Sequence, residues 1–384
     1  MKRSLFKSIV LVILCLAVLF TSVSCSKLAQ DKLADENISN NEPETTPEPP
    51  VDQNSEPEKE EIPEPEPEPE PLPEIEKVVY YNPLTGEEVS EDISMKRPLA
   101  VMINNYPSSM PQLGIAEADI IYEMIVEGGL TRMCAVFQDI DEGTVLGSIR
   151  SSRHNYLDIV KAYDALYIHA GGSPQAYSNI ESRDIDNICG VKTHGSLFYR
   201  DSSRLATMDF EHTLCIKAET ALDYFANKSG YRLEHDESYK CNMEFTDNVA
   251  LVNAQPATDI GVKFGLGKTS SFTYNADSEN YTMYQHGGKE YYDGNMDQSV
   301  EFKNIIVIQT SVVSIDSKDR KEITLTGTGN GWFICNGEIA EITWSRSDND
   351  AQFEYTYSDG TPLVYGVGKT YVCVIAKAGS VEFE

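Results

Sequence analysis

Positive charge is scarce in this sequence: 384 residues carry 31 Lys and Arg against 61 Asp and Glu, a formal net charge of -30. A body of that sign repels phosphate backbones and anionic lipid surfaces, which disfavours nucleic-acid binding and electrostatic adhesion to a bilayer. Long apolar runs are missing too. The N-terminal run Ser8–Phe20 has thirteen residues, short of the roughly 20 that a transmembrane helix needs. No cysteine pair has zinc-ribbon spacing, and His169, His194 and His212 lack the i, i+4 spacing of a helical metal site, so neither metal nor cofactor is expected. A G-x-S-x-G elbow is absent, and no S-x-x-K occurs beyond Cys25, which argues against serine acyl transfer. Gly327–Gly331 (GTGNG) lies between apolar runs with no helix after it, so it reads as a turn and not a nucleotide loop. The cysteines from Cys134 to Cys373 show no disulfide framework, and Cys134 and Cys373, inside apolar runs, read as buried thiols.

What is present starts with an address. Met1–Lys7 is basic, Ser8–Phe20 is apolar, and small residues lead to Cys25, where a polar stretch opens. That layout predicts a lipoprotein signal peptide over 1–24, with a fatty-acyl (palmitate) anchor on Cys25. The alternative is ordinary signal cleavage with a free Cys25. Residues 25–78 are expected to form a disordered tether. Within 26–77 stand eleven of the eighteen prolines and seventeen acidic residues against four basic ones. Alternating Pro and Glu blocks regular hydrogen bonding and extends the chain, at roughly 3 Å per residue, to a reach on the order of 150 Å.

The chemistry concentrates in Tyr122–Arg153. Three short apolar runs, Ile120–Val126, Met133–Phe137 and Thr144–Ile149, read as adjacent buried strands. Their ends carry Glu123, Glu127, Arg132, Arg150 and Arg153. Charges on such apolar segments survive when paired with each other or when serving a ligand, and both readings stay open. Arg150-Ser151-Ser152-Arg153 stands where a strand gives way to a helical pattern (Arg153–Tyr163), with Ser152 a plausible N-cap. Two guanidiniums, two hydroxyls and helix-start amides suit a carboxylate or phosphate; a helix cap with surface arginines is the plainer alternative. His169, beside Gly171-Gly172-Ser173, is a candidate base, with Glu127 or Asp201 as its carboxylate. Glu123 and Glu127, four residues apart on a strand, would stand roughly 13 Å apart, too far for a glycosidase pair.

Further along, Ser173-Pro174 predicts a helix start and Lys217–Lys228 an amphipathic helix closed by Gly230. Strands alternating with helices make residues 79–235 an α/β (or α+β) domain with a polar cleft. From residue 236 the chain reads loop-like to Gly267, then as short strands with hairpin turns at Asn336-Gly337 and Asp359-Gly360, an all-β domain over 236–384 in sandwich or partly open barrel form.

Arg97–Asn105 (RPLAVMINN), Ala118–Arg132 (ADIIYEMIVEGGLTR), Gly147–Arg153 (GSIRSSR), Tyr163–Ser173 (YDALYIHAGGS) and Phe198–Arg204 (FYRDSSR) together resemble the YerB-type lipoprotein family, from about Asn82 to the C-terminus. The resemblance implies two consecutive domains of unknown function in a surface lipoprotein of a Gram-positive bacterium, and no established activity. His212–Lys217 (HTLCIK) departs from the family's Asn-Leu-Tyr-type segment. The combined expectation is a lipid-anchored protein on the extracytoplasmic face of the cell membrane. Its ligand set is Glu123, Glu127, Arg132, Arg150, Ser151, Ser152, Arg153, His169 and Arg204, serving as a binding or scaffold module for anionic wall polymer (peptidoglycan or teichoic acid) or for an envelope partner protein. A wall-active hydrolase using His169 with Glu127 or Asp201 is the second expectation.

Overall fold

Leu99–Ile103 (β1), Ile120–Ile125 (β2) and Thr131–Phe137 (β3) are apolar on both sides and almost fully buried, the composition of strands covered on two faces. The computed structural model describes residues 78–265 and 267–384, so the expected signal peptide, lipidation at Cys25 and the tether up to residue 77 lie outside the described residues. After β3 come helix α1 (His154–Ala162), β4 (Leu166–His169), α2 (Pro174–Ser182), β5 (Asn187–Cys189) and α3 (Ala218–Asn227). Ser173 caps α2 by accepting the Ala176 N–H, whereas α1 begins one residue later than expected, with Arg153 at its N-cap and no side-chain cap bond.

The C-terminal region is all strand. Its main strands are β6 (Asp259–Gly265), β7 (Lys268–Asn275), β8 (Asn280–Gln285), β9 (Asn304–Thr310), β10 (Gly327–Cys335), β11 (Glu338–Arg346), β12 (Thr370–Ala376) and β13 (Ser380–Phe383). The β6 segment, which reads as loop, alternates Ile260, Val262 and Phe264 inward, a pattern diluted in sequence by Gly261 and Gly265. Gly327–Gly331 is strand and not turn. A Cβ on Gly329 would sit 2.6 Å from the Trp344 indole nitrogen, and one on Gly331 would collide with the Val307 carbonyl, so these glycines admit close neighbours inside β10. Asn336-Gly337 makes the expected hairpin, both residues at positive φ.

The sheet does not stop at the boundary between the two regions. β12 pairs in parallel with β9 on one side and with β2 on the other, Thr370 opposite Ile120 through Val374 opposite Met124. The resulting order is β11-β10-β9-β12-β2-β3-β1-β4-β5, in a sheet of eleven strands among the described residues. A second sheet, containing β13, β6, β7 and β8, covers one face, bringing Val262, Phe264, Phe272 and Met283 against Ile121, Ile125 and Cys373. Helix α1 covers the other face with Tyr156, Leu157, Ile159 and Val160. Val145–Gly147, expected beside β3, instead joins Leu214–Lys217 and Tyr199–Arg200 in a separate three-stranded sheet. All six described cysteines are free thiols.

Candidate functional site

β1, β2, β4, β9 and β12 all run the same way, because β1 and β2 each pair antiparallel with β3 and the remaining pairings are parallel. Crevices outside the carboxyl ends of such strands are the usual ligand sites of open sheets. Here four chain segments leave that edge together. Asn104 and Tyr106 follow β1, Val126–Thr131 follows β2, Gly172–Pro174 follows β4, and the turn with Lys318 and Arg320 follows β9. With Arg132, Arg150, Ser151 and Arg153 they line a cavity of about 470 Å³.

Five cations and one carboxylate, Glu127, face this space. Glu127 is held bidentately by Arg153, Nε to Oε1 at 2.6 Å and Nη2 to Oε2 at 3.0 Å. Burial works against the charged carboxylate, but the hydrogen bond and charge of Arg153 outweigh it and hold the Glu127 pKa below its ordinary value. Arg320 pairs with Asp316 inside its own turn. Arg150 reaches the exposed Glu211 carboxylate only at 3.4 Å, and its Nε is buried without an acceptor. Arg132 donates Nη1 to the Ser151 carbonyl at 2.5 Å. Neither Arg132 nor Lys318 makes an ion pair among the described residues. Burial first, then the like charges of Arg153 and Arg150, push the Arg132 pKa down to about 10. An unpaired guanidinium among like charges in a protein of net charge -30 is the arrangement an anion would relieve.

The remaining expected ligand residues stand elsewhere. Glu123, expected in the same ligand set as Arg132, projects to the opposite face of the sheet, Glu123 standing opposite Met133 and Arg132 opposite Met124. Fully buried between the sheets, Glu123 accepts hydrogen bonds from Thr131 Oγ1 (2.5 Å), Tyr371 OH (2.6 Å), Ser270 Oγ (2.7 Å), Asn105 Nδ2 (2.8 Å) and Gln285 Nε2 (3.2 Å), with Lys268 Nζ at 3.6 Å. That saturated network holds the two sheets together. Glu123→Ala leaves Lys268 without its carboxylate and removes five hydrogen bonds, and is expected to destabilise the protein by about 3–5 kcal/mol, measured as a shift in the urea midpoint.

Arg204 is also out of the cavity. It is buried, and its donors go to the carbonyls of Ser109 (2.6 Å), Pro111 (2.6 Å) and His212 (3.1 Å). Ser152 is buried and links the starts of α1 and α2 through Gly171 and Ser173. His169 is enclosed beside Tyr167, with Nδ1 2.7 Å from the Gly171 carbonyl and Nε2 3.2 Å from Asn187 Oδ1; burial depresses its pKa. Asp201 caps a short helical turn through the Arg204 N–H at 2.9 Å and the Ser203 hydroxyl at 2.5 Å. Neither Glu127 nor Asp201 contacts His169. Lys318 and Arg320 are the charged site residues that sequence reasoning missed, and Tyr106 and Leu130 are apolar lining it did not mark. The signal for the two cations was the basic SKDRK stretch just after the long β-branched run Asn304–Ser314, legible only to a reader who knew that this stretch meets the turn after β2, where the Gly128 N–H donates to Asp319. Among the described residues no group of three or more His, Cys, Asp or Glu is placed to hold a metal ion, and no helix is long and apolar enough to cross a membrane.

Residues 84–232 match the family described as "Protein of unknown function (DUF3048) N-terminal domain", and residues 260–372 match its C-terminal domain. Over 303 residues the chain is 29% identical to YerB of Bacillus subtilis (strain 168), a protein named as a candidate lipoprotein, with 76% of this chain and 85% of that one covered. The crystal structure of Bacillus subtilis YerB superposes with a TM-score of 0.68 at 27% identity, covering 79% of this chain and 99% of that one.

Proposed function

Because the chain belongs to the YerB-type lipoprotein family, we propose that it is a lipid-anchored, extracytoplasmic binding module. Its basic cavity receives an anionic group of a cell-wall polymer, peptidoglycan or teichoic acid, or of an envelope partner protein. The observation that carries this reading is Arg132, half-buried beside Arg150 and Arg153 on the cavity wall and without an ion pair among the described residues. A net charge of -30 repels polyanions in general, so only a group that enters the cavity gains from its positive charge. An acyl group on Cys25 would supply the anchor, and the Pro/Glu segment would carry the cavity away from the bilayer toward the wall. The hydrolase reading requires His169 to meet Glu127 or Asp201, and those contacts are not made.

Purified cell walls test the proposal. Residues 26–384 should sediment with them at about 0.05 M salt and be released near 1 M, where the screening length falls to roughly 3 Å. No soluble wall fragments should appear. Fragment release would instead support catalysis, and failure to sediment at low salt would favour a protein partner.

A further inference from the structure

We propose that the group bound in this cavity is a phosphoryl group and not a carboxylate; this rests on the anion-binding reading above and narrows it. The charge balance comes first. Glu127 is committed to Arg153 and Asp316 to Arg320, while Arg132 and Lys318 have no carboxylate and Arg150 shares a distant, exposed one. At least two positive charges are left for a guest. One carboxylate leaves part of that unmatched; a phosphomonoester dianion, or two neighbouring diester phosphates of one polymer, matches it.

Direction is the second argument. A carboxylate has two oxygens in one plane and is best served by a single guanidinium fork. Here the donors enter from separate segments: Arg132 from β3, Arg150 from the chain before α1, and Lys318 from the turn after β9. Donors arriving from three segments suit terminal oxygens arranged tetrahedrally better than two oxygens in one plane. Arg153, the N-cap residue of helix α1, stands in the same wall.

The cavity also has room for what the phosphate is esterified to. Tyr106, which stacks on His212 at 5.4 Å between ring centroids, lines the space together with Leu130. This shelf suits the carbon skeleton of a sugar or polyol.

Calorimetric titration of residues 26–384 tests the assignment with inorganic phosphate and malonate, both dianions, at pH 8 and equal ionic strength. Phosphate should bind at least about tenfold more tightly, and Lys318→Gln should narrow the gap. Malonate binding as tightly as phosphate would overturn the phosphoryl assignment while leaving the anion-binding reading intact. No heat from either ion would overturn both. Two further ligands separate the sources of such a group. Affinity for glycerol phosphate, a monoester, should fall as the pH drops through about 6 and its second proton returns; affinity for poly(glycerol phosphate), a diester, should stay level. Tight binding by either supports the assignment.

Discussion

Residues 78–235 expressed alone are expected not to fold. In the whole chain β12 lies between β9 and β2, and every residue of β2 is buried. Removing the C-terminal region strips β2 of its parallel partner and leaves an apolar edge of unpaired backbone, a template for aggregation. It also uncovers the face carrying Ile121, Ile125, Val101 and Met133, which packs toward β6, β7 and β8. Each of those side chains contributes about 1.5–3 kcal/mol when fully buried, so a few of them equal the net stability of an ordinary domain, about 5–15 kcal/mol. Glu123 loses Lys268, Ser270, Gln285 and Tyr371 at the same stroke. Circular dichroism and a thermal scan check the outcome. A cooperative transition in the fragment near that of residues 78–384 would show that the shared sheet does not couple the regions.

Replacing Arg132 by Gln should move stability and binding in opposite directions. Burial and the two neighbouring arginines hold the Arg132 pKa at about 10, against 12.5 for the free side chain. The unfolded chain therefore binds this proton more tightly than the folded one, and the charged form works against folding at every pH below about 10. As pH rises from about 10 toward 12.5 this penalty is relieved. Arg132→Gln removes the charge at neutral pH, so the variant should lose no stability and gain up to the order of 1 kcal/mol. The same substitution removes a charged donor from the cavity, which should weaken anion binding by about 2–3 kcal/mol, roughly 30- to 150-fold. Thermal denaturation and titration on the same preparation read both. A variant that is destabilised and binds normally would make Arg132 a structural residue.

Much of the cavity was legible before any fold was known, because Arg132, Arg150 and Arg153 stand at the ends of apolar runs, where a solvated salt bridge has little room. Glu127 shows how far such reasoning reaches. Four residues after Glu123 on one continuous strand it would share that residue's face, but β2 ends at Ile125 and a tight turn with Gly128 at φ 68° re-aims Glu127 toward Arg153. Glu123 itself keeps the strand alternation and falls into the core between the sheets. What the sequence could not show is pairing between distant segments. Nothing local tells that Thr370–Ala376 lies beside Ile120–Ile125, or that the turn after Asn304–Thr310 brings Lys318 into the cavity. The β10 glycines misled for a related reason: the Trp344 ring and Val307 carbonyl that require them are non-local.

The most direct test of the central claim is arginine side-chain NMR on residues 26–384 during titration with poly(glycerol phosphate). The Nε–H signals of Arg132 and Arg150 should shift saturably, while that of the distant Arg232, paired with Asp164, stays in place. Signals of Arg132 and Arg150 that remain still while the polymer binds, or that move no more than Arg232, would contradict an anion-receiving cavity.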